Sequence, residues 1–216
     1  LDFVNLEDEY IRKEFSVVGL RLKKELLGES VLDLDMISPK KRIATTRSFE
    51  KYTNDFEYVK ERVSTFAVSC AEKLRKQNSS CNLLTLFIQT NPFDKEKAQY
   101  YRTISIHLPY QSNSSITLSK VAVRAFEQIY KDGYAYKKAG IIVSGLVPED
   151  QRQLSLFEEE NTHHPNLMKA MDVLNKKFGA AKVKLASQDL DRTWKMRQER
   201  LSPCYTTKWK DLLIVY

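Results

Sequence analysis

The segment "YRTISIHL", residues 101–108, alternates apolar and polar side chains with a period of two residues. This period predicts a β-strand whose two faces meet different surroundings, because successive side chains of a strand point to opposite faces. One face would carry the apolar residues Ile104, Ile106 and Leu108. The other would carry the polar residues Thr103, Ser105 and His107. A strand of this kind is typical of an antiparallel sheet with one buried face and one open face.

The sequence on both sides of this strand predicts the rest of one compact module. Apolar stripes at helical spacing indicate two helices, and apolar or Thr-rich runs ended by turn signals such as "TNPFD" indicate three more strands. The predicted strands are 42–49, 82–89, 101–108 and 137–145, and the predicted helices are 55–76 and 117–132. The order βαββαβ predicts an α+β, ferredoxin-like fold, with a four-stranded sheet and two helices on one face.

Further regions flank this module. Residues 8–27 keep a helical apolar spacing up to Gly28, and Pro39 interrupts the extended segment that follows. After the module, residues 166–178 predict an amphipathic helix and residues 181–187, "AKVKLAS", a brief strand. The predicted divisions are a helical end at 1–28, a linker at 29–41, the module at 42–148, a solvated segment at 149–165 and a small α/β extension at 166–216.

The positive charge is concentrated in the predicted module. The whole chain has a formal net charge of +7, but residues 40–145 alone hold 18 Lys and Arg against 9 Asp and Glu. A basic surplus beside a hydroxyl-rich strand face suits a sugar–phosphate backbone, which Lys, Arg, Ser, Thr and backbone N–H groups contact. The alternative is a solvated sheet face that binds nothing, since antiparallel sheets often face water.

The cysteines and histidines do not form a metal-binding pattern. Cys70, Cys81 and Cys204 are an odd number without paired spacing, which favours reduced thiols and a cytoplasmic location. Cys70 lies on the apolar face of a predicted helix and is expected in the core. The three histidines, His107, His163 and His164, lack Cys or carboxylate neighbours at ligand spacing, so no metal site and no catalytic residue is predicted.

The length and hydropathy of the chain limit the class of protein to which it can belong. A chain of 216 residues can bury a real core, and no apolar run approaches the ~20 residues that span a bilayer, so no membrane partner is expected. The opening at Leu1 reads like the interior of a domain. We therefore expect the chain to be part of a longer protein.

Five stretches carry a resemblance to a known family. They are "IRKEFSVVGLRLKKEL", "TTRSFEKYTNDFEYVKE", "AEKLRKQNSSCNLLTLFIQTNPF", "DGYAYKKAGIIVSGLVPEDQRQLSLF" and "WKMRQERLSPCYTTKWKDLL". In this order they resemble the C-terminal half of UmuC-like polymerases, a branch of the Y-family of translesion DNA polymerases. The resemblance covers nearly all of the chain. It implies the end of a thumb domain, a little-finger domain that binds DNA, and a C-terminal extension.

The resemblance also implies particular contacts. The pentapeptide "QLSLF" is similar to the segment by which bacterial polymerases bind the β subunit of the sliding clamp, and its contacts would come from Gln153, Leu154, Leu156 and Phe157. In the alternative reading its leucines fold back into a local core. The stretch "TTRSF" resembles the first little-finger strand, where the family grips duplex phosphates. The implied DNA contacts are Thr46, Arg47 and Ser48. On electrostatic grounds we add Thr103, Ser105, His107, Lys137 and Lys138.

The resemblance implies that the parent enzyme extends primers with Mg²⁺ held by palm carboxylates, which in the family precede the region matched here. Neither Asp33 with Asp35 nor the run Glu158–Glu160 is a credible substitute, so this chain is expected to need no cofactor and not to polymerise alone. Primer–template DNA, UmuD-like accessory subunits and a RecA filament are the further partners implied.

Two rival functions come from other classes. An RNA-binding module would share the ferredoxin-like arrangement, but strand 101–108 lacks the Gly-and-aromatic signature of RNA-recognition motifs. The second rival is a protein-interaction scaffold, in which the basic surface would have no part in binding. Binding to primed duplex and to single-stranded RNA across a salt series separates the three.

Overall fold

The computed structural model describes residues 2–31, 38–153, 161–188 and 201–212. The chain divides into two compact units, Leu1–Lys40 and Lys41–Tyr216. The predicted linker residues Asp33 and Asp35 lie outside the described residues.

The first unit is built on one helix, α1 (Asp8–Leu26), which confirms the predicted helix. The helix is kinked at Ser16, whose φ of 63° and ψ of −169° are not helical. Ile11 is fully buried, whereas Val18 is 66% exposed. Gly28, with a φ of 87°, ends the helix as predicted.

The second unit contains the predicted module. Its elements are β1 (Ile43–Thr53), α2 (Phe56–Lys76), β2 (Ser79–Thr90), β3 (Tyr101–Ser112), α3 (Ser115–Ile129) and β4 (Tyr136–Pro148). The four strands form one antiparallel sheet in the order β1-β4-β2-β3, so β4 and β2 are central and β1 and β3 are the edges. The predicted α+β module of four strands and two helices is confirmed.

The core lies between the sheet and the two helices. Strand β2 contributes Leu84, Leu86 and Ile88, all fully buried, and α2 and α3 cover them with their apolar stripes. The predicted apolar face of β3 is confirmed, since Leu108 is buried and Ile104 and Ile106 pack against the same core. Each helix begins with a side-chain cap: Asp55 accepts a hydrogen bond from the Tyr58 backbone N–H at 3.1 Å, and Ser114 accepts one from Thr117 at 3.5 Å.

A further helix, α4 (His164–Phe178), is docked on the helical side of this module. Asp172 accepts hydrogen bonds from Nε and Nη2 of Arg75 on α2, at 2.6 and 2.7 Å, and Arg75 Nη1 also donates to the Asn113 carbonyl at 2.8 Å. Met168 is buried against the first turn of α3, where its sulfur lies 3.3 Å from the Ser115 backbone nitrogen. The helix is therefore held by a two-pronged ion pair and by apolar burial.

The predicted strand at 181–187 is wrong. The structure has turns there, and a single side chain supplies the hydrogen bonds that a partner strand would have made. Asn175 Oδ1 accepts from the Val183 backbone N–H at 2.8 Å, and Asn175 Nδ2 donates to the Val183 carbonyl at 3.0 Å. Because the amide of Asn175 satisfies both backbone groups, Val183 needs no neighbouring strand.

We expect the Arg75–Asp172 pair to hold α4 in place. Replacing Asp172 with Asn removes the charged acceptor from a guanidinium whose side chain is only 12% exposed. The free energy of unfolding should fall by about 1–2 kcal/mol, below the full value of a buried pair because the Asp172 side chain is 38% exposed. Urea unfolding, with amide hydrogen exchange of α4, measures the effect. Glu127→Gln, an exposed change on α3, is the matched control, and equal behaviour of the two variants would contradict this role.

The three thiols should differ sharply in reactivity. Burial raises the pKa of Cys70, and burial raises the pKa of Cys81 to about 12, so both stay protonated at pH 8 and are shielded from reagents, whereas Cys204 is exposed. A maleimide reagent should label Cys204 first and reach the other two only on unfolding. Mass spectrometry of the labelled peptides measures this, and Cys204→Ser should abolish native labelling. Rapid native labelling of Cys81 would mean that β2 is not buried as described.

Candidate nucleic-acid interface

The sheet face away from α2 and α3 is an ordered array, because cross-strand pairing sets its side chains in rows. Strands lie ~4.8 Å apart, so a row across all four strands is about 14 Å wide. We call this surface the open face. One row is Ser48, Lys138, Gln89 and Tyr101; the next is Thr46, Gly140, Phe87 and Thr103; the third is Ala44, Ile142, Thr85 and Ser105; the last contains Ser144, Leu83 and His107.

Gly140 brings two of these strands' side chains together. A Cβ atom at this position would lie 2.5 Å from Thr46 Cγ2 and 2.6 Å from Phe87 Cε1. The glycine thus leaves room on central strand β4 for Thr46 and Phe87 to approach each other from either side. The middle of the open face is therefore lined by Thr46 and Phe87, with only backbone of β4 between them.

Hydroxyl groups occupy the β2–β3 side of the open face. Thr85 Oγ1 and Ser105 Oγ are 2.8 Å apart, and Thr103 Oγ1 donates to the Leu86 carbonyl at 3.1 Å. Hydroxyls keep further acceptor capacity when they donate one bond, and those of Thr103 and Ser105 are on exposed residues. The predicted polar face of β3, including exposed His107, is therefore present as an assembled surface.

Two lysines supply positive charge at one end of the open face. Lys138 lies over the Phe87 ring, with Nζ 5.9 Å from its centroid. Lys137 lies at an irregularity in the pairing of β4 with β1. The residue after it, Lys138, pairs with Ser48, and the residue before it, Tyr136, pairs with Thr53. Lys137 Nζ donates to the Glu50 carbonyl at 2.9 Å. The groups contacted are neutral, so both ammonium charges remain to attract an anion.

Arg47 does not join the open face. It pairs with Ala139, which is buried beneath the helices, and shares its parity along β1 with buried Thr45 and Phe49. Strand alternation therefore puts Arg47 on the helical side of edge strand β1, while Thr46 and Ser48 lie on the open face. Of the predicted DNA contacts, the structure brings together Thr46, Ser48, Thr103, Ser105, His107, Lys137 and Lys138.

Sequence reasoning missed the aromatic residues of this surface. Phe87 lies half-buried in the middle of the open face, and Tyr101, at the end of β3, is 62% exposed. The signal was available in "LLTLFIQ", where Thr85, Phe87 and Gln89 alternate with the buried Leu84, Leu86 and Ile88. The alternation is hard to recognise in a long apolar run, because a phenylalanine at a solvent-facing position is easily taken for a core residue.

The structure describes only the beginning of the predicted clamp-binding segment. Gln153 is exposed, and its backbone N–H donates to Gln111 Oε1 on β3 at 3.3 Å. Leu154, Leu156 and Phe157 lie outside the described residues, as does the run Glu158–Glu160. Within the described ranges no group of three or more His, Cys, Asp or Glu is arranged to hold a metal ion, and no helix has the length and apolarity required to cross a membrane.

Comparison with known proteins identifies the class of protein to which this arrangement belongs. Residues 40–156, which contain the whole sheet and both covering helices, match the C-terminal domain of the impB/mucB/samB family. Residues 165–215, which contain almost all of α4, match a domain of unknown function, DUF4113. The chain belongs to the impB/mucB/samB family.

Individual relatives extend this likeness over the full chain. The protein UmuC of Salmonella typhimurium is 34% identical over 218 residues, which cover 100% of this chain and 52% of that protein. ImpB of Salmonella typhimurium is 34% identical over 98% of the chain, and MucB of Escherichia coli is 31% identical over 99%. The chain spans about half the length of the curated relatives it matches. The chain is therefore similar to the C-terminal part of UmuC-like proteins, which confirms the resemblance found in the sequence.

Proposed function

We propose that this chain is the DNA-gripping and clamp-tethering C-terminal half of an error-prone translesion DNA polymerase. The observation that carries the proposal is the open face, where hydroxyls from β1, β2 and β3 lie beside Lys137 and Lys138 in a member of the impB/mucB/samB family. Phosphate oxygens accept hydrogen bonds from such hydroxyls and ammonium groups without regard to base sequence. A polymerase that extends many different templates needs this kind of contact.

The open face also suits duplex DNA on its β1 side, where the side chains are small. Gly140 on β4 carries no side chain, and Ala44, Thr46 and Ser48 are the open-face positions of β1 beside it. Small hydroxyls on a rigid sheet lose little conformational freedom on binding, which lowers the cost of ordering the interface. The two lysines then supply the electrostatic attraction, which depends on salt.

The parent enzyme, in this proposal, holds Mg²⁺ on carboxylates of another domain and extends primers past damaged bases in the cytoplasm during the SOS response. UmuD-like accessory subunits and a RecA filament are proposed as its further partners. The chain described here contributes DNA grip and tethering, and the residues responsible can be tested in isolation from catalysis.

Replacing Lys138 with Ala tests the DNA grip. We expect affinity for primed duplex DNA to fall about three- to tenfold, equally across sequences, because one ammonium–phosphate contact is lost. The slope of log affinity against log salt should flatten by ~1 unit. Fluorescence anisotropy across a salt series measures both quantities.

Two further variants sharpen that test. Lys120→Ala removes the same charge from an exposed position on α3, on the helical side, and should leave both quantities unchanged. Arg47→Ala should have a smaller effect than Lys138→Ala, since Arg47 is not on the open face. If Lys120 and Lys138 matter equally, only net charge counts and the open face is not the interface. Tighter binding to single-stranded RNA than to primed duplex would favour the RNA-binding rival.

The clamp contact is proposed for the pentapeptide that begins at Gln153. Two apolar side chains can fill a preformed pocket on the clamp, each with roughly 1.5–3 kcal/mol of burial before ordering costs, so the affinity should be about micromolar. Replacing Leu156 and Phe157 together by Ala should abolish clamp binding in calorimetry while the melting temperature and the DNA affinity stay unchanged.

The matched control removes the same side chains from another exposed site. Leu167 and Phe178 on α4 are 45% and 59% exposed, and their joint replacement by Ala should leave clamp binding intact. A large fall in the melting temperature of the Leu156/Phe157 variant would instead mean that the pentapeptide is part of the core.

A further inference from the structure

The loop between β2 and β3 displays an aromatic side chain at its tip. Phe93 is 90% exposed, which is the highest exposure of any Phe or Tyr among the residues that the structure describes. An isolated exposed apolar residue is ordinary on a protein surface. Phe93 differs because the loop that carries it is held by a dense set of hydrogen bonds, so its exposure does not come from a loosely tethered loop.

Asp94 is the centre of this bracing. Its carboxylate accepts from Lys97 Nζ at 2.8 Å and from Tyr52 OH at 3.1 Å, and its backbone carbonyl accepts from Gln99 Nε2 at 2.6 Å. The hydrogen bond from Lys97 lowers the pKa of the Asp94 carboxyl. On the other side of Phe93, Asn91 Oδ1 accepts from the Phe93 backbone N–H at 3.3 Å.

The loop reaches across the end of the sheet. Asn91 Nδ2 donates to Tyr52 OH at 2.9 Å, and Tyr52 belongs to β1, which is separated from β2 by central strand β4. The loop therefore crosses the end of β4 where Lys137 and Lys138 lie. The row of the open face nearest to it ends in Tyr101, the first residue of β3.

Lysine ammonium groups lie over an aromatic ring at this end of the sheet. Lys97 Nζ lies 3.9 Å and Lys137 Nζ 5.2 Å from the centroid of the Tyr52 ring, so both ammonium groups lie against the same aromatic ring, Lys97 while also paired with the Asp94 carboxylate. Exposed rings between lysines are the combination that binds single-stranded nucleic acid, where bases stack on rings and phosphates meet ammonium groups. We call Phe93, Tyr101, Lys137 and Lys138 the aromatic rim.

We propose that the aromatic rim binds the single-stranded end of a DNA whose duplex part lies on the open face, with an unpaired base stacked on Phe93. This inference rests on the proposed function, because it takes the open face as the duplex site. Duplex bound to the open face would hold its single-stranded end at a high effective concentration beside the rim, so modest stacking would suffice. Base stacking does not depend on sequence, since every base has a π-face.

The test compares three DNA probes bound to the full chain: a blunt duplex, the same duplex with an oligo-dT overhang, and free oligo-dT. Phe93→Ala should weaken binding of the overhang duplex and of oligo-dT about five- to tenfold, the loss of one stacked base. Binding of the blunt duplex should change less than about twofold. Phe178→Ala, which removes an exposed ring from α4 on the helical side, is the matched control and should change none of the three affinities.

A second variant reports stacking directly. Phe93→Trp should keep the affinity for the overhang duplex, and the extra tryptophan emission, relative to the unsubstituted chain, should be quenched when the overhang is present but not with blunt duplex. Equal losses of Phe93→Ala on blunt and overhang duplexes, or no loss on either, would overturn the proposal. Binding of oligo-dT that depends on Phe93 without any duplex binding would instead overturn the proposed function and leave the aromatic rim standing as a single-strand site.

Discussion

The burial of one alternating, mostly apolar set of side chains from four antiparallel strands under α2 and α3 is the constraint on which the rest of this structure depends. Leu84, Leu86 and Ile88 on central strand β2 are fully buried, each contributing roughly 1.5–3 kcal/mol of apolar burial. A slip of one residue in any strand would turn its apolar set toward water, so the register is strongly specified. The same register then determines the open face, because the residues between the buried ones have no other place to lie. Stability and candidate function are thus encoded in alternate residues of the same strands.

This interleaving explains why the open face can be polar at little cost to the fold. Thr85, Thr103 and Ser105 satisfy one another or a backbone carbonyl, and their remaining hydrogen-bonding capacity meets solvent. Phe87 is an aromatic ring on this face, and it packs against the bare backbone of Gly140 and beneath Lys138. A larger residue at 140 would displace both Thr46 and Phe87. The close approach of Thr46 and the packing of the Phe87 ring therefore depend on the same glycine.

The sequence predicted the elements of the module well and their arrangement less well. Strand 101–108 was found because a strict period of two is a direct physical signature, and the two helices were found because their apolar stripes recur at helical spacing. The order of strands has no such signature, since it depends on contacts between residues far apart in sequence. Arg47 was assigned to the DNA-contacting face from a resemblance, although counting from buried Ile43 puts it on the other side. The strand predicted at 181–187 failed because a side chain, Asn175, took the place of a partner strand. The turn "TNPFD" was read correctly, but sequence alone could not reveal that Tyr52, 41 positions before Phe93, braces it.

The two family domains meet on the helical side, away from the open face, and this separation has a consequence for how the chain can work. Residues of α4 contact α2 and the start of α3 through Asp172 and Met168, while the open face is formed by strands alone. Substitutions at two sites that share no side chains and lie on opposite sides of a rigid sheet should have almost additive effects on the free energy of unfolding. Substitutions in the extension should therefore leave the open face undisturbed, provided that Arg75 keeps its acceptor. Gln153, the last described residue before the pentapeptide continues, is joined to edge strand β3 by the hydrogen bond from its backbone N–H to Gln111.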